Sequence, residues 1–275
     1  RTIRLDQPQV MGIVNVTPDS FSDGGLYMDG AAAAVAGMRM AEQGAAIVDV
    51  GGESTRPGAK PVWEGDEIER VAPVIRQLAT GGAAVSVDTR KADVMTAALA
   101  AGAHMVNDVS ALTYDPRSAA TVAEAGVPVI LMHHRGSPET MQDNPRYGDV
   151  VVEVYQWLEE RIAAAEAAGI SRSAILVDIG FGFGKSVAHN LELMNNLALF
   201  HSLGCPLVAG ASRKRTIGAL SNEAPADQRL GGSLALALKA AEQGAQLIRV
   251  HDVFETVQAL RVWRGLRDQA LTPRA

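Results

Sequence analysis

The sequence has one cysteine, no long apolar run and no excess of positive charge. With Cys205 alone among 275 residues, an intrachain disulfide is excluded, and we expect a protein of the reducing cytoplasm. No apolar run approaches the roughly 20 residues that span a bilayer, so a membrane is not an expected partner. The net charge of −6 argues against nucleic acid as a partner. Any anion that binds here must therefore be held by local geometry.

What the sequence does contain is a recurring theme, in which a glycine precedes an apolar run of strand length. Eight predicted strands result, five of them in segments that open on the glycine: 10–16, 44–50, 83–88, 102–108, 126–132, 174–180, 204–210 and 244–250. Alanine-rich segments with helical spacing lie between them: 31–43, 94–101, 150–168 and 230–243. A glycine just past each helix is a stop signal, because it accepts the left-handed geometry of a helix end. Strands that are apolar throughout indicate burial on both faces, as in a parallel sheet.

Eight strand–helix units in about 250 residues are typical of a (β/α)₈ TIM barrel. We therefore predict an α/β fold in which residues 1–275 form a single barrel domain. The alternative, a doubly wound open sheet, would place a glycine fingerprint after its first strand. The segment NVTPDSFSDGG (15–25), which follows that strand here, is not such a fingerprint.

Polar residues stand at the ends of nearly all the predicted strands. They are Asn15, Asp49, Asp88, Asn107, His133, Asp178, the 210–212 turn, Arg249 and His251. In a barrel these ends converge on the face where active sites form. Caps and turns also favour Asp and Asn, but capping alone does not explain a whole ring of polar ends. The carboxylates and amides suit a polar heterocycle, whereas Arg249, His251 and the basic turn at 212–215 suit a phosphate-type anion.

Seven stretches carry a more specific signal. In chain order they are MGIVNVTPDSFSDGG (11–25), DVGGESTRPGA (49–59), VSVDT (85–89), VNDVSAL (106–112), DIGFGFGK (178–185) with GASRKRTIG (210–218), and IRVHDV (248–253). With these stretches the chain resembles the dihydropteroate synthase family. The resemblance implies a barrel transferase that joins p-aminobenzoate to 6-hydroxymethyl-7,8-dihydropterin diphosphate and releases diphosphate. It also implies Mg²⁺ as cofactor, small-molecule substrates and a homodimer.

The resemblance further implies roles for individual residues. The pterin would lie among Asp88, Asn107, Met132, Asp178, Gly210 and Lys214. The diphosphate would contact Asn15, Arg56, Arg249 and His251, and Asn15 would also lie near Mg²⁺. The p-aminobenzoate would contact Thr55, Pro57, Phe183 and Arg215. The catalytic residues would be Asp88, Lys214, Arg249, His251 and Arg56, which stabilise developing charge without an enzyme nucleophile.

The loop at 52–62 is interpreted as a lid that orders over the leaving group and helps to form the second substrate's site. Asp19 and Asp23 could play a similar part on the 17–25 loop. For Asp49 and Glu53, a structural role at the base of the lid is at least as plausible as ligand contact.

Three positions depart from the family's usual pattern. Ile179 stands where many members have proline, Arg135 lies in HHRG where many have HMQG, and Arg215 stands where some have serine. None of these changes removes a residue with a proposed catalytic role. GFGFGKS (180–186) is one residue short of a nucleotide phosphate loop, and its Lys185 is as readily a solvated or structural lysine as a ligand contact.

Three other functions remain open on the sequence. A pterin-binding methyltransferase domain would need the pterin residues but has little use for the diphosphate ligands. An aldolase could form a Schiff base on Lys185 or Lys214, but the carboxylates would be unexplained. A non-catalytic pterin-binding protein should lack one or more leaving-group ligands, and all four are present. The sequence therefore favours the synthase.

Overall fold

The computed structural model describes residues 2–17, 26–54, 61–136 and 144–271. Eight parallel strands close into a barrel in chain order, which confirms the predicted TIM barrel. The strands are β1 (Gln9–Asn15), β2 (Ile47–Gly51), β3 (Val85–Asp88), β4 (Met105–Asp108), β5 (Val129–Met132), β6 (Ile175–Asp178), β7 (Leu207–Ala209) and β8 (Leu247–Val250). Each strand overlaps one of the eight predicted segments, because a run that is mostly apolar can be buried on both faces.

Helices alternate with these strands and surround the barrel. They are α1 (Leu26–Glu42), α2 (Glu64–Thr80), α3 (Ala92–Ala100), α4 (Ser118–Ala125), α5 (Val150–Ala167), α6 (Val187–Asn195), α7 (Arg215–Leu220), α8 (Leu230–Glu242) and α9 (Val253–Leu271). Gly126 ends α4 with a left-handed φ of 63°, as the glycine pattern predicts. Within the described ranges, no helix has the length and apolar character needed to cross a membrane.

The alternation of side chains along the strands sorts them into layers inside the barrel. A buried apolar layer forms the floor of the barrel interior: Met11, Ile47, Ala84, Met105, Ile130, Leu176, Val208 and Leu247. Side chains that are two residues apart on a strand share a face. The next inward layer is therefore mostly polar: Ile13, Asp49, Ser86, Asn107, Met132, Asp178, Gly210 and Arg249. A polar site thus lies directly above an apolar floor.

His133 lies outside this interior, and its inclusion among the ligand-facing strand ends was wrong. It follows the inward-facing Met132 by one residue, and a shift of one residue turns a side chain to the other face of a sheet. Its ring packs edge-on against Trp157 of α5, with 4.9 Å between ring centroids. Its Nδ1 lies 2.8 Å from Lys185 Nζ, in the layer between strands and helices.

Candidate active site

Arg249 of β8 is the central side chain of the barrel mouth. Its Nε donates to Asp49 Oδ2 over 2.7 Å, and its Nη2 donates to Asp88 Oδ2 over 2.6 Å. Asp49 is fully buried and Asp88 is 9 % exposed, so water screens these two ion pairs only weakly. Two charge-assisted hydrogen bonds therefore fix the orientation of the guanidinium, since its planar fork can satisfy both only in one pose.

This arrangement shows that the predicted carboxylate subsite and anion subsite adjoin each other. Asp88 and Arg249, assigned to different ends of the substrate, are in direct contact. Burial raises the pKa of Asp88 to about 7, against the opposing attraction of Arg249. The carboxylate is therefore poised between its two protonation states near neutral pH.

Asp49 orients a second ligand-facing side chain. Its Oδ2 also accepts a hydrogen bond from Asn107 Nδ2 over 2.9 Å. The interpretation of Asp49 as a support for the base of the 52–62 loop was wrong, because the side chain lies inside the barrel, between Asn107 and Arg249. Asn107 is thereby held with its amide nitrogen engaged and its amide oxygen available to a ligand donor.

Asp178 ends β6 beside Gly210. One of its oxygens, Oδ1, accepts a hydrogen bond from the backbone N–H of Gly180 over 2.7 Å. A Cβ on Gly210 would lie 3.6 Å from the other oxygen, Oδ2, so glycine keeps the approach to that carboxylate open. Burial raises the pKa of Asp178. Oδ2 has no hydrogen-bond partner among the residues that the structure describes, so it suits a planar ring that carries N–H donors.

Lys214, predicted to bind the pterin, contacts Phe183, predicted to bind p-aminobenzoate. Its Nζ lies 3.9 Å from the centroid of the Phe183 ring, a cation–π contact. Burial, with a contribution from nearby Arg249, lowers the pKa of Lys214 to about 8, while Asp178 and Asp88 oppose the shift. The lysine therefore remains largely cationic at neutral pH and lies at the junction of the two predicted substrate regions.

His251 and Asn15 occupy the rim of the barrel mouth. His251 Nδ1 lies 3.1 Å from Ser212 Oγ in the turn after β7. Burial lowers the pKa of His251 to about 3, so its imidazole is neutral at physiological pH. Asn15 ends β1, is half-buried, and pairs in register with Gly51 of β2. Of these two residues, His251 lies near enough to Arg249 for the guanidinium to help lower the pKa of the imidazole.

The remaining predicted ligand residues differ in their exposure, and some lie outside the described ranges. Met132 is buried and faces the barrel interior, whereas Arg215 is exposed at the first residue of α7. The predicted ligands of the 52–62 loop, Thr55, Arg56 and Pro57, lie outside the described residues, as do Asp19 and Asp23 of the 17–25 loop.

Lys185 has a structural position. Its Nζ lies 2.8 Å from His133 Nδ1, 2.9 Å from the Gly180 carbonyl oxygen and 3.0 Å from that of Phe183. The solvated alternative was wrong, because the side chain is buried. Three partners occupy the amine, so it is not available as a Schiff-base nucleophile. Its two backbone contacts instead fix the loop that carries Phe183.

A buried ionic cluster, which sequence reasoning missed, holds the described ends of the 52–62 loop. Lys91 Nζ donates to Glu53 Oε2 over 2.7 Å, to Glu67 Oε2 over 2.5 Å and to the Val62 carbonyl over 2.7 Å. Glu53 also accepts from the Val62 N–H over 2.8 Å and from Arg90 Nε over 2.8 Å. The structural role considered for Glu53 is therefore supported. Glu67 gave a weak signal in the sequence, since it is a charged residue on the otherwise apolar face of α2.

The chain is similar to known proteins over nearly its whole length. The sequence model of the family described as "Pterin binding enzyme" matches residues 11–251. The dihydropteroate synthase of Escherichia coli K12 is 49% identical over 262 residues, which cover 95% of this chain and 92% of that protein.

Two solved structures are similar throughout. The Xanthomonas albilineans dihydropteroate synthase with 4-aminobenzoic acid has a TM-score of 0.90 and 53% identity, covering 96% of this chain and 94% of that one. The Yersinia pestis dihydropteroate synthase in a sulfonamide drug complex has a TM-score of 0.93 and 46% identity, covering 98% of this chain and 97% of that one. The chain therefore belongs to the dihydropteroate synthase family of pterin-binding enzymes.

Proposed function

We propose that the barrel mouth binds the dihydropterin diphosphate with its ring toward Asp178, Asn107 and Lys214 and its diphosphate toward Arg249. The chain is a transferase that makes 7,8-dihydropteroate and diphosphate from this substrate and p-aminobenzoate. The observation that carries the proposed orientation is the fixed Arg249 guanidinium, held by Asp49 and Asp88 above the apolar floor. Its Nη1 has no hydrogen-bond partner among the described residues and is the donor available to an anion.

The leaving diphosphate accumulates negative charge as its C–O bond breaks. Arg249 and His251 are hydrogen-bond donors whose positions are set before the reaction, so they can stabilise this charge without reorganising. Asn15, the last residue of β1, would contribute an amide to the same anion. Arg56 is assigned to the same anion by the resemblance.

The carbon that loses diphosphate is conjugated to the pterin, so positive charge develops there. The ionised carboxylate of Asp88 stabilises this cation, and Asp178 holds the ring through its N–H groups. The arylamine nitrogen of p-aminobenzoate then forms the new C–N bond and releases a proton. Phe183 and Lys214 flank this second substrate, together with Thr55 and Pro57 by resemblance, and no covalent enzyme intermediate is required. Arg215 would meet its carboxylate.

We further propose Mg²⁺ as the cofactor. In the described part of the chain, no group of three or more His, Cys, Asp and Glu side chains could hold a metal ion. The half-buried Asn15 nevertheless offers an oxygen of the kind that Mg²⁺ accepts, and Mg²⁺ commonly completes its shell with water and substrate phosphates. When bound, the ion would neutralise charge on the diphosphate.

We further propose that the chain forms a homodimer and that it works in the cytoplasm. Val262 and Leu266 lie one turn apart on α9 and are 61% and 70% exposed, an apolar pair that a second copy could cover. The single cysteine, Cys205, is buried and free, as suits a reducing compartment. Light scattering on the purified chain tests the dimer.

The proposed reaction is tested by measuring diphosphate release and dihydropteroate formation together, with Mg²⁺, in the presence and absence of p-aminobenzoate. We expect one diphosphate released for each dihydropteroate formed. Arg249→Met should lower kcat/KM by about 10²–10³-fold, the size of effect seen when a single charge-stabilising donor is lost.

The matched control is Arg172→Met. Arg172 lies before β6, at the opposite end of the barrel, and pairs with Glu166 on the surface. It should leave kcat/KM unchanged. A folded wild-type chain that binds the pterin but forms no dihydropteroate would refute the proposed reaction.

A further inference from the structure

We propose that Ser212 is a positioning residue that fixes the tautomer of His251, so that the imidazole offers an Nε2–H donor to the leaving diphosphate. The proposal rests on the proposed function of His251 as a diphosphate ligand. Ser212 belongs to the turn after β7, and His251 directly follows β8, so the contact joins the two strand ends nearest the expected anion.

The first observation is the double contact between these residues. Ser212 Oγ accepts a hydrogen bond from the backbone N–H of His251 over 3.2 Å. The same oxygen lies 3.1 Å from His251 Nδ1. A hydroxyl carries one hydrogen and two lone pairs, so the oxygen can accept from the backbone while it donates to the ring.

The direction of the second hydrogen bond follows from burial. Ser212 is 6% exposed, and its hydroxyl has no hydrogen-bond partner other than His251 in the described ranges. If Nδ1 carried the proton, the serine hydrogen would be left buried and unpaired, and a buried unpaired donor is costly. The hydroxyl therefore donates to Nδ1, and Nδ1 is the acceptor.

A neutral imidazole has one donor nitrogen and one acceptor nitrogen, so the ring proton lies on Nε2. The ring stays neutral because burial and the neighbouring Arg249 and Arg213 hold the pKa of His251 at about 3. Asp252 acts in the opposite direction but is itself paired with Arg213. Nε2, on the side of the ring away from Ser212, is thus a fixed N–H donor.

The turn that carries Ser212 is itself held in place. Arg213 has a left-handed φ of 57°, an unfavourable conformation for a side chain with a Cβ. Its backbone N–H donates to Ser233 Oγ over 2.9 Å, and its Nε donates to Asp252 Oδ2 over 3.0 Å. Because Arg213 follows Ser212 and Asp252 follows His251, this ion pair also fixes the distance between Ser212 and His251.

The chemical consequence concerns the leaving group. A neutral N–H donor strengthens its hydrogen bond as charge accumulates on the phosphate oxygen, and no proton has to move for it to do so. In the other tautomer, Nε2 would present a lone pair to an anion, which is repulsive. Ser212 would therefore act through His251 and would affect the departure of diphosphate more than the binding of p-aminobenzoate.

The test is a two-bond ¹H–¹⁵N correlation spectrum of the unliganded chain labelled with ¹⁵N-histidine, which separates protonated from unprotonated ring nitrogens. The chain has six histidines, and the spectrum of His251→Gln identifies the signals of the one in question. We expect an unprotonated Nδ1 and a protonated Nε2 at His251 in the wild type. Ser212→Ala should shift these signals toward a mixture of tautomers, and Ser212→Thr, which keeps the hydroxyl, should preserve them.

Kinetics provide the second readout. Ser212→Ala should lower kcat/KM for the dihydropterin diphosphate roughly threefold to tenfold, the effect of one lost hydrogen bond, with little change in the KM for p-aminobenzoate. The control Ser118→Ala removes another buried serine hydroxyl, at the start of α4, and should change neither the His251 signals nor kcat/KM.

Two results would overturn the proposal: a protonated Nδ1 at His251 in the wild type, or an unchanged His251 tautomer in Ser212→Ala. The wild-type spectrum decides the first point even when a variant fails to fold. If the tautomer is as expected but the wild type forms no dihydropteroate, the proposed function fails while the assignment of the tautomer stands.

Discussion

Replacing Lys91 with methionine should strongly destabilise the protein. The lysine side chain is 7% exposed, and its two carboxylate partners, Glu53 and Glu67, are 6% and 1% exposed. Lys91→Met keeps most of the side-chain volume but removes three hydrogen bonds and leaves two buried carboxylates without their shared cation. The other oxygen of Glu67, Oε1, has no partner in the described structure, so this residue depends on Lys91 alone for its charge pairing.

The magnitude follows from what remains after the cation is removed. Breaking a buried ion pair by deleting one partner costs about 3–5 kcal/mol, because the remaining charge is buried and unpaired. For a protein of this size each kcal/mol lowers Tm by about 2–4 °C, so we expect a decrease of roughly 6–20 °C. Lys91→Met combined with Glu67→Gln should recover part of the lost stability, since Glu67→Gln removes a buried negative charge that Lys91→Met leaves without a cation.

The measurement is the thermal unfolding of Lys91→Met beside a matched surface variant, Arg117→Met. Arg117 also pairs with two carboxylates, Asp93 and Asp115, but its side chain is 58% exposed. Exposed ion pairs contribute little to stability, because water screens them, so its Tm should fall by only a few degrees. Equal decreases in Tm for the two variants would refute the reasoning, because burial would then not determine the energy of the lysine contacts.

Two further predictions concern the pH profile and the backbone. Because burial raises the pKa of Asp88 to about 7, the ionised form of Asp88 increases as the pH rises through that value, and kcat/KM should rise with it. Asp88→Asn should abolish this rise in the pH profile. If the rise is unchanged in the variant, Asp88 is not its source. Gly180 has a φ of +66°, and a Cβ on it would lie 1.7 Å from the His133 carbonyl oxygen, so Gly180→Ala should lower Tm sharply. The control is Gly231→Ala in α8, where a Cβ would meet open space. It should raise the free energy of unfolding by about 0.5–1 kcal/mol in the same thermal melts.

The fold was predictable because its signals are local. Each strand lies in a mostly apolar run, and glycines such as Gly126 take the left-handed geometry that ends a helix. The predicted helix at 150–168 differs from α5 (Val150–Ala167) by one residue. Closure of the sheet into a barrel could be predicted from the number of strand–helix units, since the sequence offered no glycine fingerprint for an open sheet.

The site was predictable only as a set of residues at strand ends, because pairing depends on which face each side chain occupies. His133 was included although its side chain points toward the helices. For Asp49 the sequence left open a role at the base of the lid, whereas its side chain lies inside the barrel and orients Arg249. Lys91 could not be found from the sequence at all. It precedes α3 as an ordinary charged residue, and its partners lie 38 and 24 positions away along the chain.

The paired charges explain how an acidic chain can present a cation to an anion. A lone buried guanidinium would be expensive, and the net charge of −6 provides no general attraction for a phosphate. Asp49 offsets the cost of burying the guanidinium, because its fully buried carboxylate keeps Arg249 charged and oriented without a ligand. The same pairing weakens the attraction of Arg249 for an incoming anion, so further donors are needed around it. His251 lies beside Arg249 as such a donor, and because its imidazole is neutral, it adds a hydrogen bond without adding another buried charge that would itself need a partner.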